Sequence, residues 1–510
     1  MRLHTSCILA AAIALHAAWA DTPRFDRVFG SHMVLPHGKN IPVSGTAAPN
    51  REITVTFGNT ALKTKTDSKG KWSVTLPPMP PCATGQTLAA VQNGDSAKLE
   101  DVLVGEVWLA SGQSNMLFRL NQTTTAKEDI AASGDDQLRL LNNVPQAHTN
   151  NAPYSAKDFD AVTTDNFYKG QWAASSPATS GPMTAVGYYF GKKLREGLGI
   201  PVGIIHSSLG GSEIAAWIPR QVINANNSFR TLRGNHWLDS PLISDWVRGR
   251  ARKNISPRLN QGSPDHPYKP AFLYESGIAW TTALPITGVI WYQGESNIHT
   301  GNAHLYSQYM QQLVSLWRNE WGNQQMPFYY VQIAPFVYEG DDKISVPLIV
   351  EQQLAAMDKI PYSGMASTTD IGSGPCIHPS QKIPVGERLA LLALSKTYGK
   401  KGLICESPRF ESVRFEDGKA IVRFKTEGTL GPDYSGRIKG FEIAGADKIF
   451  VPARAEYIVG QPEIAVSSTI VENPVAVRYA FRNVPDQTTL YNTGGLPAFP
   501  FRTDDWNDAQ

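Results

Sequence analysis

Between residues 101 and about 400 the chain repeats one pattern: a short apolar run, a loop of small and polar residues, then a stretch with helical spacing. The runs cover residues 104–110, 202–207, 288–293, 328–333 and 365–369, and the helical stretches cover 184–197, 304–321, 349–358 and 386–398. In the longest of these, Leu305, Tyr309, Leu313, Leu316 and Trp317 keep the spacing of one helical face. Strands that alternate with helices imply a parallel, doubly wound sheet with right-handed crossovers, so this part of the chain is read as α/β. Such sheets take their ligands at the carboxyl edge, which directs attention to the loops after the runs.

The flanks follow another rhythm. In residues 21–100, Ile53, Val55 and Phe57 alternate on one face; a turn at Asp67-Ser-Lys-Gly70 follows, and Trp72, Val74 and Leu76 resume the period of two. The proline cluster at residues 77–81 interrupts any strand, and a β-sandwich-like module is expected. Residues 402–510 return to short alternating strands and are expected to form a second β-domain. Two segments inside the α/β region, near 119–180 and 225–270, are polar and rich in Asn, Ser, Asp and Pro. They are read as long insertions above the carboxyl edge, whose aromatic residues, such as Trp237 and Tyr268, either line a sugar site or simply pack. With 510 residues, such a division into domains is what chain length requires.

Residues 1–20 have the form of a secretory leader: Arg2, an apolar centre over 8–15, and Ala18-Trp-Ala20 before Asp21. A periplasmic or secreted protein is expected, and no later stretch is apolar enough to span a bilayer. A formal charge of +2 gives no reason to expect nucleic acid or an anionic membrane as partner. After the leader come Cys82, Cys376 and Cys405, which lack zinc-site spacing. They are read either as free thiols or with one bridge between Cys376 and Cys405.

Three strands end in unusual loops: Ser111-Gly-Gln-Ser-Asn115, Ser208-Leu-Gly-Gly-Ser212 and Gln293-Gly-Glu-Ser-Asn297. The fifth run leads into Asp370, with His378 eight residues later. A serine, exposed backbone at glycines, side-chain amides and a histidine on one sheet edge are the parts of acyl transfer. Ser114 by itself reads equally well as a helix cap. Met116 stands where a G-x-S-x-G elbow needs its second glycine, which argues against the ordinary α/β-hydrolase arrangement.

Gly105-Glu-Val-Trp-Leu-Ala-Ser-Gly-Gln-Ser-Asn-Met116 resembles the first block of the SGNH hydrolases, in the form seen in sialate O-acetylesterases. Trp291-Tyr-Gln-Gly-Glu-Ser-Asn297 resembles a later block, and Ile377-His-Pro379 with Val385-Gly-Glu-Arg-Leu-Ala390 the histidine block. Cys405-Glu-Ser-Pro408, Gly440-Phe-Glu-Ile-Ala-Gly-Ala-Asp447 and Gly495-Leu-Pro497 are similar to that family's C-terminal region. The resemblance implies an SGNH-type three-layer hydrolase domain over residues 101–401, between the two β-domains.

It also implies Ser114 as nucleophile and, through its backbone N–H, as one oxyanion donor. Gly210 or Gly211 would be the second donor, and the amide of Gln293, with Asn297 as competitor, the third. His378 would be the general base. Glu295 is expected to brace its loop, and His206 and His299 to be packing or loop residues. The family commonly carries aspartate three residues before the histidine, where this chain has Pro375. Asp370 is therefore the candidate for orienting His378, with a backbone carbonyl and a Ser-His dyad as the alternative. The implied activity is serine-dependent removal of O-acetyl groups from carbohydrate, with sialic acids first and xylan or another plant polysaccharide second. An inactive carbohydrate-binding protein on the same scaffold is the reading from another class. The implied partner is an O-acetylated carbohydrate; no cofactor and no metal are implied, and the oligomeric state is left open.

Overall fold

The run at residues 104–110 is the inner part of a much longer strand in a computed structural model, which describes residues 22–506 apart from 235, 263, 301–302, 339–342, 373 and 433–437. The expected leader lies outside the described residues. The central sheet is built from β1 (Asp95–Gly112), β2 (Asp135–Asn142), β3 (Trp172–Ser175), β4 (Val202–Ser208), β5 (Gly288–Tyr292), β6 (Phe328–Val331) and β7 (Ser363–Ala366). Their order is β3-β2-β4-β1-β5-β6-β7, all parallel to their neighbours except β3. The five expected strands are all present, and the α/β reading holds.

The longer helices of this part are α1 (Ala185–Leu198), α2 (Asp245–Ile255), α3 (Tyr306–Glu320), α4 (Ser345–Lys359) and α5 (Ile383–Leu392). Both faces of the sheet are covered. Val107 and Leu109 join a core that includes Leu313 and Trp317 of α3 and Ile349 of α4. Trp108 and Ala110, pointing the other way, join a second core with Phe190 of α1 and Leu389 of α5. Burial on both faces explains why these strands read as unbroken apolar runs rather than alternating ones.

The segment 119–180 is not the long insertion expected, because it supplies β2 and β3 to one end of the sheet. Its apolar run, Leu138 to Leu141, is short and is interrupted by Arg139. That guanidinium is buried nevertheless, since Asp101 accepts from it at 2.7 Å and the carbonyl of His32 at 3.2 Å. A buried charge is tolerated when it is paired in this way. Likewise 225–270 contains α2, whose Val247, Ala251 and Ile255 are buried at a spacing of four.

Before β1, Glu52–Phe57 pairs with Thr60–Lys65 and Cys82–Gln92, and the last of these pairs antiparallel with the first half of β1. Ile53, Val55 and Phe57 are buried, as their alternation predicts. β1 therefore runs unbroken through residue 100, taking part first in this antiparallel sheet and then in the parallel one. After residue 408 the strands are antiparallel around a core of their own, and Arg502 binds Glu351 of α4 at 2.8 Å. Cys82, Cys376 and Cys405 are free thiols. Among the described residues no helix is long and apolar enough to cross a membrane.

Candidate active site

In the register of the sheet, Gly112 of β1 faces Ser208 of β4 on one side and Tyr292 of β5 on the other. The three strands thus end level, and their following loops leave at one edge. They flank the point where the chain stops adding strands on one side of β1 and starts on the other, the crevice where parallel sheets bind ligands. Gly112 has φ +140°, and a Cβ there would lie 2.1 Å from the Tyr292 carbonyl oxygen. Only glycine lets β1 turn so close to β5. One helical turn, Ser114–Leu117, follows, which leaves the Ser114 N–H without a backbone acceptor among the described residues.

Around this turn the amides are closely interlocked. Gln113 Oε1 accepts from the Gln293 side chain at 3.1 Å and from the backbone of Gly294 and Ser296 at 3.3 and 3.2 Å. Gln293 Nε2 also donates to Asn297 Oδ1 at 2.7 Å and to the Ser212 carbonyl at 3.3 Å, while Tyr306 Oη donates to Gln293 Oε1 at 2.8 Å. Fully buried and committed to protein partners, the Gln293 amide is not available to an oxyanion; it braces the loops instead. Asn297 is placed differently. Its Oδ1 accepts from both Gln293 and the Ile214 N–H, which fixes Nδ2 on the opposite side, without a protein acceptor among the described residues. The two glycines also differ in their surroundings. A Cβ on Gly210 would lie 3.5 Å from Ser114 Cβ, whereas one on Gly211 would strike Tyr268 Oη and the Trp246 ring. The Gly210 N–H has no acceptor among the described residues.

Two residues that sequence reasoning missed connect the serine loop to the histidine loop. Asn115 Nδ2 donates to Glu295 Oε1 at 2.5 Å and to the Ile377 carbonyl at 2.9 Å, and Lys382 Nζ donates to Asn115 Oδ1 at 2.6 Å. Lys382 is only 1% exposed, and its ammonium lies 5.0 Å from the Phe118 ring centroid and 5.3 Å from that of Tyr292. Burial pulls its pKa down to about 7, against the attraction of Glu295. Burial also raises the Glu295 carboxyl, which accepts from Asn115. A lysine just before an apolar helix carries no sequence signal of such a role.

His378 faces the same space as Ser114, and its ring has no hydrogen-bond partner among the described residues. Its pKa is lowered from 6.5, first by burial and then by Lys382, so the ring is neutral at physiological pH and able to accept a proton. The expected kcat/KM profile therefore rises to a plateau with a midpoint below 6.5. Lys382→Met removes a positive neighbour and should move that midpoint upward, toward 6.5. A pH–rate profile checks both, and an unmoved midpoint would mean that the ammonium does not act on His378.

Asp370 is not on the histidine. Its carboxylate is gripped by Arg388 of α5 through two hydrogen bonds, at 2.8 and 2.7 Å, and Arg388 also binds the Ser367 carbonyl. An aspartate eight residues upstream of a histidine is close in sequence, but a buried guanidinium with matching fork geometry holds it instead. Asp370→Ala should therefore leave kcat within a few-fold while costing stability, at most about 3–5 kcal/mol for an arginine left unpaired. Thermal melts and acetate-release kinetics on the same preparation test this. A folded variant slowed by several orders of magnitude would restore Asp370 to the catalytic set.

Two further histidines lie near this edge. His206 is buried between Asn142 Oδ1 at 2.7 Å and Ser208 Oγ at 2.5 Å, and burial drives its pKa to about 3. His299 stacks edge-on against Tyr338 at the cavity wall.

Ser114, Gly210, Gly211, Glu295 and His378 open on a cavity of about 810 Å³. Its far wall is formed by Trp246, Arg250 and Tyr268, so the segment 225–270 does shape this space. Tyr268 lines it, whereas Trp237 is packed away beside His266.

Comparison with known proteins gives a consistent result. The family model described as carbohydrate esterase, sialic acid-specific acetylesterase, matches residues 243–395. Sialate O-acetylesterase of Mus musculus is 27% identical over 94% of this chain and 94% of its own length. That of Homo sapiens is 28% identical over 95% of this chain and 94% of its own. The crystal structure of a carbohydrate acetylesterase from Xanthomonas citri is 33% identical, covers 95% of this chain and 100% of that one, and superposes with a TM-score of 0.79.

Proposed function

Because the chain belongs to the sialate O-acetylesterase family of carbohydrate esterases, we propose that it removes O-acetyl groups from sialic acids through a serine-bound acetyl intermediate. The observation that carries the reading is that Ser114, Gly210 and His378 line one cavity at the edge of a parallel sheet, with the Asn297 amide donor unpaired in the adjoining loop after β5. In this reading Ser114 Oγ attacks the acetyl carbonyl while neutral His378 takes its proton. The backbone N–H groups of Ser114 and Gly210 and the Asn297 amide receive the developing oxyanion. Imidazolium then gives its proton to the departing sugar oxygen, and a water activated by the same ring hydrolyses the acetyl-enzyme.

The site is read as a Ser-His dyad, since Asp370 is held by Arg388. The finer assignments follow the same reading. Residues 101–401 form an SGNH-type three-layer domain between β-domains at 21–100 and 402–510, and the leader over 1–20 directs the protein to the periplasm or outside the cell.

The test is acetate release from a panel of mono-O-acetylated sialic acids beside acetylated xylo-oligosaccharides. The highest kcat/KM is expected on a sialate. A preference for the xylo-oligosaccharides would replace the substrate assignment, and no release from any ester would leave a binding protein on a hydrolase scaffold.

A further inference from the structure

The charged residues facing the cavity are unequal in their freedom. Asp245 is paired with Arg248, and Glu295 accepts from Asn115 and is pushed toward its neutral form by burial. Behind the wall, Glu213 accepts the Ser244 N–H at 2.9 Å, and burial raises its carboxyl to about 7. Arg250 alone among the cavity-lining arginines and lysines of the described residues faces this space, and none of the described carboxylates pairs with it.

Its guanidinium is held in a fixed plane. Nη1 donates to the Thr149 carbonyl at 2.8 Å, and the group lies over the Trp246 ring one helical turn back, 4.8 Å from its centroid. The support is rigid as well. Ser244 Oγ caps α2 by accepting the Val247 N–H, and Asn254 at the other end of α2 donates to the carbonyls of Asn150 and Ala152 at 2.7 and 2.6 Å. The helix and the Thr149 loop are thus tied to each other. Nε and Nη2 are left without acceptors among the described residues, and this is the edge whose two parallel N–H bonds match a carboxylate.

The position suits a monosaccharide that also reaches the nucleophile. Trp246 is 53% exposed although large and apolar, and its ring centroid lies 6.1 Å from that of Tyr268. The pair forms an aromatic wall of the kind against which a sugar face packs. That wall touches the loop after β4 at Gly211, where a Cβ would be 2.8 Å from the Trp246 ring, and the preceding Gly210 stands beside Ser114.

We propose that Arg250 is the carboxylate anchor of the substrate site, gripping the acid group of the sugar while the Trp246–Tyr268 wall supports the ring and presents an acetyl ester to Ser114. The inference rests on the sialate reading above and deepens it by naming the group that separates an acidic sugar from a neutral one. A charge-assisted two-bond contact of this kind is expected to favour the acid by roughly 10- to 100-fold in kcat/KM.

The experiment compares one O-acetylated N-acetylneuraminic acid with its methyl ester, in which the carboxylate is neutralised, and with p-nitrophenyl acetate. Wild type should prefer the free acid by roughly 10- to 100-fold over the methyl ester. Arg250→Gln should bring that ratio close to one, mainly through KM, and Arg250→Lys, which keeps the charge but not the fork, should fall between. Equal wild-type rates on acid and methyl ester overturn the anchor while leaving the sialate reading intact. A loss in Arg250→Gln as large on p-nitrophenyl acetate as on the acid also overturns it, since the residue would then only maintain the fold. No release from any sialate, with release from acetylated xylo-oligosaccharides, overturns the substrate reading and the anchor together.

Discussion

Ser114→Ala is expected to lower kcat for acetate release by about four to six orders of magnitude while leaving KM within a few-fold. The serine lies at the foot of the cavity, and no other hydroxyl emerges from the same turn. His378→Ala should cost nearly as much, and the double variant little more, because nucleophile and base act as one unit. Residual activity would come from the oxyanion donors and from binding, which neither substitution touches. Steady-state acetate release measures the loss, and mass spectrometry of rapidly quenched wild type should detect the acetyl group on Ser114. A Ser114→Ala enzyme within tenfold of wild type would remove the serine mechanism.

The second large effect is expected at Asn297. Removing one side-chain oxyanion donor costs about 10²–10³ in kcat, and Asn297→Ala should fall in that range with little change in KM. Gln293→Ala should differ in kind. Its amide partners, Gln113 Oε1, Asn297 Oδ1 and Tyr306 Oη, would be left buried with fewer bonds, at about 1–3 kcal/mol for each group that finds no substitute. Asn297→Ala also leaves the buried Ile214 N–H without its acceptor, so both variants should melt below wild type and kcat of the folded enzyme is what separates them. If Gln293→Ala melts like wild type yet loses two orders of magnitude in kcat, the donor role passes back to Gln293.

How much of this could be read from the residues depends on what each signal measures. Parallel strands covered on both faces must be apolar throughout, so 104–110, 202–207 and 288–293 were legible without further help. β2 was not, because a single buried arginine breaks its run, and the partner that permits it, Asp101, lies far away in sequence. The convergence of Ser114, Gly210–Gly211 and His378 followed from strand order alone. Which amide is left unpaired did not follow, since Gln293 and Asn297 differ only in where their side chains point after the strand ends. The choice between Asp370 and a dyad stayed open in the sequence for a related reason: proximity along the chain says nothing about Arg388, which reaches Asp370 from α5. Lys382 and Asn115 form a contact that no short motif encodes.

The long strand β1 has a consequence for how the protein comes apart. Its first half belongs to the antiparallel sheet of the N-terminal region and its second half carries the turn of Ser114, the two joined through Asp101, whose φ of +56° kinks the strand without ending it. Opening either sheet means withdrawing a rung from the other, so the two behave as a single cooperative block in unfolding rather than as separable foldons. Ser114, the proposed nucleophile, thus draws its support from a region outside the site. A weakened contact around Ile53 or Val55 would lower the amount of competent enzyme in the cell without altering the turnover of the molecules that remain folded.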